Sequence, residues 1–236
     1  MLLDTAKRYI PHPIKVSLRN RHKQYVLHSC LRRLNQLAPE IAAKDHQLLD
    51  RLIWSWSNAG WSGDAEYLSA AIGLTVPGSL SILECGTGLT TILIGMASRG
   101  NGTKLYSLEH LPEWSAKIRK VLARYELDNV HVLNAPIVTH GTYSWYDVRS
   151  CEFPQAGFDA VVCDGPPSDT PGGRYGLMPV MGRRLRPGCA ILLDDIERLE
   201  EQAVVRRWQT EFGVTATPMS EDGSFVKLVV ASDPVS

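Results

Sequence analysis

The twelve residues 80–91, LSILECGTGLTT, leave few folds open to this chain. An apolar run ends at Glu84, glycines follow at Gly86 and Gly88, and a helical pattern starts at once. That order describes a buried parallel strand, a tight turn and a helix N-terminus. The glycines let the backbone pass close to a ligand, and a helix start presents N–H groups without intrahelical partners. A small molecule is therefore expected across this turn.

The downstream sequence repeats the unit. Strands are expected at 80–84, 103–109, 130–133, 158–163 and 189–194, and helices at 89–99, 112–125, 175–185 and 196–212, with an irregular stretch at 134–156. Such alternation builds a parallel sheet covered on both faces. Two further strands, 214–219 and 224–231, flank Glu221-Asp222-Gly223, a hairpin signal that puts an antiparallel strand at the edge. Upstream, helices are expected at 14–37, 44–57 and 64–72. Leu27, Leu31, Leu34 and Leu37 share one side of the first, and Trp54, Trp56 and Trp61 are expected to pack against the sheet. The fold class is α/β: a doubly wound, mostly parallel, seven-stranded sheet with an antiparallel C-terminal hairpin and an α-helical N-terminal extension. The expected division is 1–62 and 63–236.

Lysine plus arginine equals aspartate plus glutamate at 25 each, so net charge points to no partner. Residues 1–40, however, hold eight basic side chains against Asp4 and Glu40, and the remainder is correspondingly acidic. The basic head reads as a solvated helix face, with peripheral contact to an anionic membrane surface as the competing reading. No run approaches the ~18 apolar residues of a membrane span, and the N-terminus does not resemble a signal peptide. Five scattered cysteines, an odd number, suit reduced thiols rather than a disulfide frame or zinc site. A cytoplasmic location is expected, at the inner membrane face if the basic head binds lipid.

Ligands of doubly wound sheets sit outside the carboxyl ends of the strands, where strand order reverses. The strand ends here deliver Glu84, Glu109, Asn134-Ala135-Pro136, Asp164-Gly165-Pro166-Pro167 and Asp194-Asp195. Acids at one edge are costly to bury unless something pairs with them. Glu109 follows the turn by a span that suits a carboxylate accepting both ribose hydroxyls; capping the helix at Pro112 is the competing reading. Asp164 would face the turn, near a transferring group. Asp194 and Asp195 also read as caps of helix 196–212. GTGLTT lacks the third glycine of a dinucleotide fingerprint and the lysine of a P-loop, and the acid just before it suits a cation-bearing ligand.

The segments ILECGTGLTT, SLEHLPEWSAKIRKVL, FDAVVCDGPP and RYGLMPVMGRRLRPGCAILLDDIER together resemble the class I S-adenosylmethionine-dependent methyltransferases over roughly residues 65–231, in particular small-molecule O-methyltransferases. The resemblance implies S-adenosylmethionine as cofactor. Glu84, Gly86, Thr87 and Gly88 would form the turn around its methionine part and Glu109 would bind the ribose. Asn134 and Ala135 would border the adenine, and Asp164 would lie beside the sulfonium as a catalytic group. Asp164, Asp194 and Asp195, with Arg174-Tyr175 between, are similar to the acidic metal-binding pattern of catechol-type enzymes, which implies Mg²⁺ or another divalent cation. Pro167 and Asp195 depart from that pattern, standing where the lysine and asparagine of those enzymes are expected.

His140 is a second catalytic candidate, and with Tyr143, Trp145 and Tyr146 it is expected to line the acceptor pocket. Arg174 is expected to hold an acidic acceptor such as a uronate or phosphate. The expected reaction is O-methylation of a small-molecule or saccharide-like acceptor. Two alternatives stand beside it: a non-catalytic scaffold on the cofactor fold, tethered by the basic helices, and an aminopropyltransferase, for which Asp169 is poorly spaced. Nucleic acid is not expected as acceptor, because the sheet region is acidic and its tetrad is DGPP.

Overall fold

The computed structural model describes residues 12–56, 63–218 and 223–231. It places a helical N-terminal region, α1 (His12–Leu34), α2 (Pro39–Ala42), α3 (His46–Trp56) and α4 (Ala65–Gly73), ahead of an alternating α/β region. The latter runs β1 (Ser81–Cys85), α5 (Leu89–Ala97), β2 (Lys104–Glu109), α6 (Pro112–Arg124), β3 (Val130–Asn134), β4 (Ile137–Thr139), β5 (Ser144–Tyr146), β6 (Phe158–Cys163), α7 (Leu177–Met181), β7 (Leu185–Leu193), α8 (Leu199–Phe212), β8 (Thr215–Pro218) and β9 (Val226–Val229).

Seven strands form one sheet in the order β3-β2-β1-β6-β7-β9-β8. The first five are parallel, and β9 and β8 are antiparallel to their neighbours, as the alternation and closing strands led one to expect. The turn residues Glu221 and Asp222 lie outside the described residues. Strand order reverses between β1 and β6, so a crevice opens past Cys85 and Cys163.

Side-chain alternation splits the core in two. Ile82, Leu105, Ala160 and Val162 face one apolar cluster, while Leu83, Leu108, Val161 and Cys163 face the other. The first cluster also takes Leu31 and Leu34 of α1, Leu49 and Leu52 of α3, and Ile92 of α5. Every residue of α5 is buried, because the N-terminal helices cover the side that would otherwise meet solvent. Four free cysteines are buried and Cys151 is half-buried. No helix of the described residues is long and apolar enough to cross a membrane.

Four expectations are corrected. The stretch 134–156 is not all irregular: β4 and β5 pair as an antiparallel hairpin. The helix expected at 175–185 is a 3₁₀ turn (Gly173–Gly176), the short α7 and a second 3₁₀ turn (Gly182–Arg184), as glycines at both ends of a five-residue apolar segment dictate. Helix α8 starts at Leu199 rather than 196, because Asp195 adopts a left-handed backbone (φ 59°) that ends the strand without opening the helix. Trp54 does not pack on the sheet. It is 45% exposed, edge-on to His22, with Lys23 over its ring. Trp56 instead meets Trp114 of α6, and Trp61 lies outside the described residues.

Candidate active site

The crevice at the switch point is a cavity of about 650 Å³. The turn after β1 (Gly86, Thr87, Gly88), the ends of β2 (Glu109) and β6 (Asp164 to Asp169), and Asp194 and Asp195 after β7 wall it. Gly63 and Leu68 from the helical region, Trp114 from α6 and Tyr146 from β5 complete the wall.

Local sequence builds the glycine end. Gly86 has φ 90°, a conformation open to glycine, and its Cα lies 3.2 Å from where a Cβ on Gly165 would stand. The strand ends thus meet because Gly165 lacks a side chain, while at Gly86 glycine serves the backbone conformation. The turn presents no cradle of free amides. The N–H of Gly86 donates to the Leu108 carbonyl (3.0 Å), that of Thr87 to Glu109 Oε2 (3.2 Å) and that of Gly88 to Thr91 Oγ1 (2.8 Å). The amides of the three turn residues are thus engaged within the protein.

Glu84 is wholly buried and accepts hydroxyl hydrogen bonds from Thr90 (2.5 Å), Thr91 (2.7 Å) and Ser107 (2.5 Å). Burial pushes its carboxyl up to about 7, with the three hydroxyls pulling the other way. Glu109 is buried but reaches the cavity wall. Its Oε2 also accepts from Thr87 Oγ1 (2.6 Å), its Oε1 accepts from the Leu111 N–H (2.8 Å), and His110 Nδ1 lies 3.1 Å away. Trp114 donates its indole N–H to the Thr87 carbonyl (2.8 Å), fixing an aromatic wall beside the turn.

The other end is built from distant segments. Arg174, 2% exposed, donates through Nη1 to the Asp194 carbonyl and through Nη2 to the Asp164 carbonyl (2.7 Å), Asp164 Oδ1 (3.2 Å) and Asp195 Oδ2 (2.5 Å). Arg198 reaches Asp195 Oδ1 at 2.8 Å. Burial raises the Asp164 and Asp194 carboxyls; neighbouring carboxylates add to the rise and Arg174 opposes it. Oxygens of Asp164, Asp194 and Asp195 converge within 4.8 Å, the approach three metal ligands need. Two of the three carboxylates already accept from a buried guanidinium, so this donor set does not fit a divalent cation.

Of the residues singled out in the sequence, Gly86, Thr87, Gly88, Glu109, Asp164 to Pro167, Asp169, Arg174, Asp194, Asp195 and Tyr146 meet at the cavity. Others do not. The Glu84 side chain is turned into the sheet and braces the turn from behind, since all its hydroxyl donors lie on α5 and β2. Asn134 is exposed and bound to Arg119, and Ala135 is buried behind the Glu109 carbonyl. His140 stands exposed on the β4–β5 hairpin, stacked on Tyr143. Trp145 is wholly buried in the core rather than lining a pocket.

Gly63, Leu68, Trp114 and Arg198 join the wall without having been singled out for it. Trp114 carried a signal, an aromatic in the first turn of a helix just past a cavity-facing strand end. For Gly63 nothing local could have served.

Comparison with known proteins bears on this geometry. Residues 83–196 match a family described as a methyltransferase domain. The seven-stranded fold is that of the class I methyltransferases, and residues 83–196 are similar to that domain family. An O-methyltransferase from Bacillus cereus, solved with SAH, is similar at 17% identity, with 89% of this chain and 97% of that one covered and a TM-score of 0.54. A Podospora anserina methyltransferase bound to SAH is similar at 14% identity, with 95% and 98% covered and a TM-score of 0.52. A precorrin-6y C5,15-methyltransferase from Geobacter metallireducens is similar at 15% identity, with 73% and 90% covered and a TM-score of 0.52. No curated protein matches the sequence. At these identities the likeness is one of fold, and one methyltransferase fold serves different acceptors.

Proposed function

We propose that this methyltransferase domain binds S-adenosylmethionine in the switch-point cavity and methylates a hydroxyl oxygen of a small, uncharged, saccharide-like acceptor. The observation that carries the reading is the chemistry of the wall. The amides of Gly86, Thr87 and Gly88 are spent internally, while Glu109, Asp164, Asp169, Asp194 and Asp195 all border the cavity. Arg174 and Arg198 also line the cavity, but the acids outnumber them, which suits a ribose and a positive charge.

S-adenosylmethionine would supply an electrophilic methyl group on a sulfonium. Gly86, Thr87 and Gly88 would hold its methionine part, and Glu109 retains acceptor capacity for ribose hydroxyls. Trp114 and Leu111 would shield the adjoining face. Asp164, held by Arg174, lies at the end of β6, where its carboxyl group can orient an acceptor hydroxyl. Orientation and exclusion of water are the main contributions such a site makes to a displacement at carbon. Arg174 is not proposed to grip an acidic acceptor, because its guanidinium is buried and already paired with the Asp164 and Asp195 carboxylates.

Isothermal calorimetry with S-adenosylmethionine and its demethylated product tests the binding step. Both should bind to wild type, and Glu109→Ala should weaken both about tenfold or more, as expected when hydrogen bonds to a charged acceptor are lost. No heat from wild type, or equal affinity in a folded Glu109→Ala variant, would refute the proposal. An acceptor screen with methyl-labelled cofactor then tests the chemistry; label appearing only on anionic acceptors would overturn the acceptor class.

A further inference from the structure

Arg174 sits where it does because of glycine. Gly172 and Gly173, with φ of 83° and 53°, wind the 3₁₀ turn that sends Arg174 under the strand ends, and a Cβ on Gly173 would stand 3.1 Å from Glu201 Oε1. One guanidinium then ties β6 to β7 through the Asp164 and Asp194 carbonyls and through the Asp164 and Asp195 carboxylates. Glu201, itself buried on α8, lies 3.9 Å from Nε. Asp195 holds a left-handed backbone that a non-glycine residue adopts at a cost, offset here by contacts to Arg174 and Arg198.

We infer that Arg174 is the resident cation of this acid cluster, standing where a divalent metal would otherwise be held, and that the site is metal-independent by construction. Three converging carboxylates are the usual means of holding a hard divalent ion. A metal here would have to share oxygens that already accept guanidinium N–H groups and would meet a fixed positive charge at short range. An arginine stays protonated at any working pH, so unlike a metal ion its charge is neither titrated nor chelated away. Asp194 differs from its neighbours in having no guanidinium bond to its carboxylate; only its carbonyl meets Arg174. Its side chain borders the cavity and takes a backbone hydrogen bond from Asp195. The inference concerns the cluster and does not depend on the reaction proposed above.

Mn²⁺ added to the full chain, at a pH where carboxylates are ionised, provides the test. Free ion is read by electron paramagnetic resonance and the protein by thermal melting. Wild type should leave the free Mn²⁺ signal unchanged, and a chelator should not move its melting point. Arg174→Met keeps the volume and removes the charge. It should take up Mn²⁺ at least about tenfold more tightly than wild type, because affinity at an oxygen site follows its count of uncompensated charges. Its melting point should rise on adding Mn²⁺, and adding Asp194→Asn should abolish both effects. Uptake by wild type that Asp194→Asn removes would overturn the inference, as would a folded Arg174→Met protein that takes up none. If Arg174→Met does not fold, the wild-type measurement and Arg174→Lys decide: both retain a cation and should leave Mn²⁺ free, and uptake by either overturns the inference.

Discussion

The two ends of the cavity compensate their carboxylates by different means. At the glycine end every hydrogen-bond donor to Glu84 and Glu109 is neutral: hydroxyls of Thr87, Thr90, Thr91 and Ser107, and amides of Thr87 and Leu111. At the acid end the donors are guanidinium groups of Arg174 and Arg198. Neutral donors lower a carboxylate's energy without cancelling its charge, so burial still raises the pKa of Glu84. A guanidinium cancels the charge, but its removal leaves several acids uncompensated at once. The first end is tunable by pH and tolerant of single changes. The second also titrates, since burial raises Asp164 and Asp194, but it is set apart by being brittle to mutation.

The largest expected effect follows from that brittleness. Arg174→Met should cost about 3 to 5 kcal/mol of unfolding free energy, the range for removing one partner of a buried ion pair. The loss should be greatest at high pH and shrink as the stranded acids take up protons. Urea unfolding across pH checks it. A loss below about 1 kcal/mol would mean the cluster behaves like a surface pair, and the contrast between the ends would fail.

Glu84 should show the opposite behaviour. Its folded pKa is raised from an ordinary 4.5 to about 7, so the native state holds this proton where the unfolded chain has released it. The stability this confers is complete below about 4.5 and is lost as pH rises through about 7. Its upper bound is about 3 kcal/mol. Glu84→Gln imitates the protonated acid and abolishes the titration. The stability difference, wild type minus variant, should therefore grow as pH falls from alkaline toward 5. A difference independent of pH would show that Glu84 stays ionised behind its three hydroxyls.

The same contrast explains what the sequence made legible. The glycine end is assembled from residues close in the chain: Thr90 and Thr91 follow Glu84 by six and seven positions. Strand, turn and helix could thus be read directly from LSILECGTGLTT, as could Glu109 and Asp164 at their strand ends. The inward turn of Glu84 could not, since a strand-end acid faces a ligand or the sheet according to which neighbours carry hydroxyls, and Ser107 belongs to another strand. Arg174 misled for a related reason. Its partners lie 10 and 21 residues away, brought together by a 3₁₀ turn that replaces the helix periodicity suggested. His140 misled because a loop aromatic near an active edge is recognisable by composition, whereas the β4–β5 hairpin that carries it outward is three residues per strand and too short to show a period.

Two smaller predictions sharpen the boundary of the glycine end. Thr87→Val removes the 2.6 Å hydroxyl bond to Glu109 while keeping the backbone bond. S-adenosylmethionine affinity should fall about fivefold, the equivalent of one ordinary hydrogen bond of about 1 kcal/mol. An unchanged affinity would place the ribose away from Glu109.

His140→Ala should do least. The ring is exposed and stacked on Tyr143, and the bond that closes its hairpin runs from the His140 N–H to the Tyr143 carbonyl, which alanine preserves. Stability should change by no more than about 0.5 kcal/mol, the usual range for a surface substitution. Cofactor affinity and methyl-transfer rate should change less than about twofold, since a general base must lie within hydrogen-bond reach of the proton it takes and His140 is absent from the cavity wall. A loss of about a hundredfold or more, the least that removing a general base is expected to cost, would show that the hairpin folds over the cavity during turnover. The site would then have three working parts rather than two.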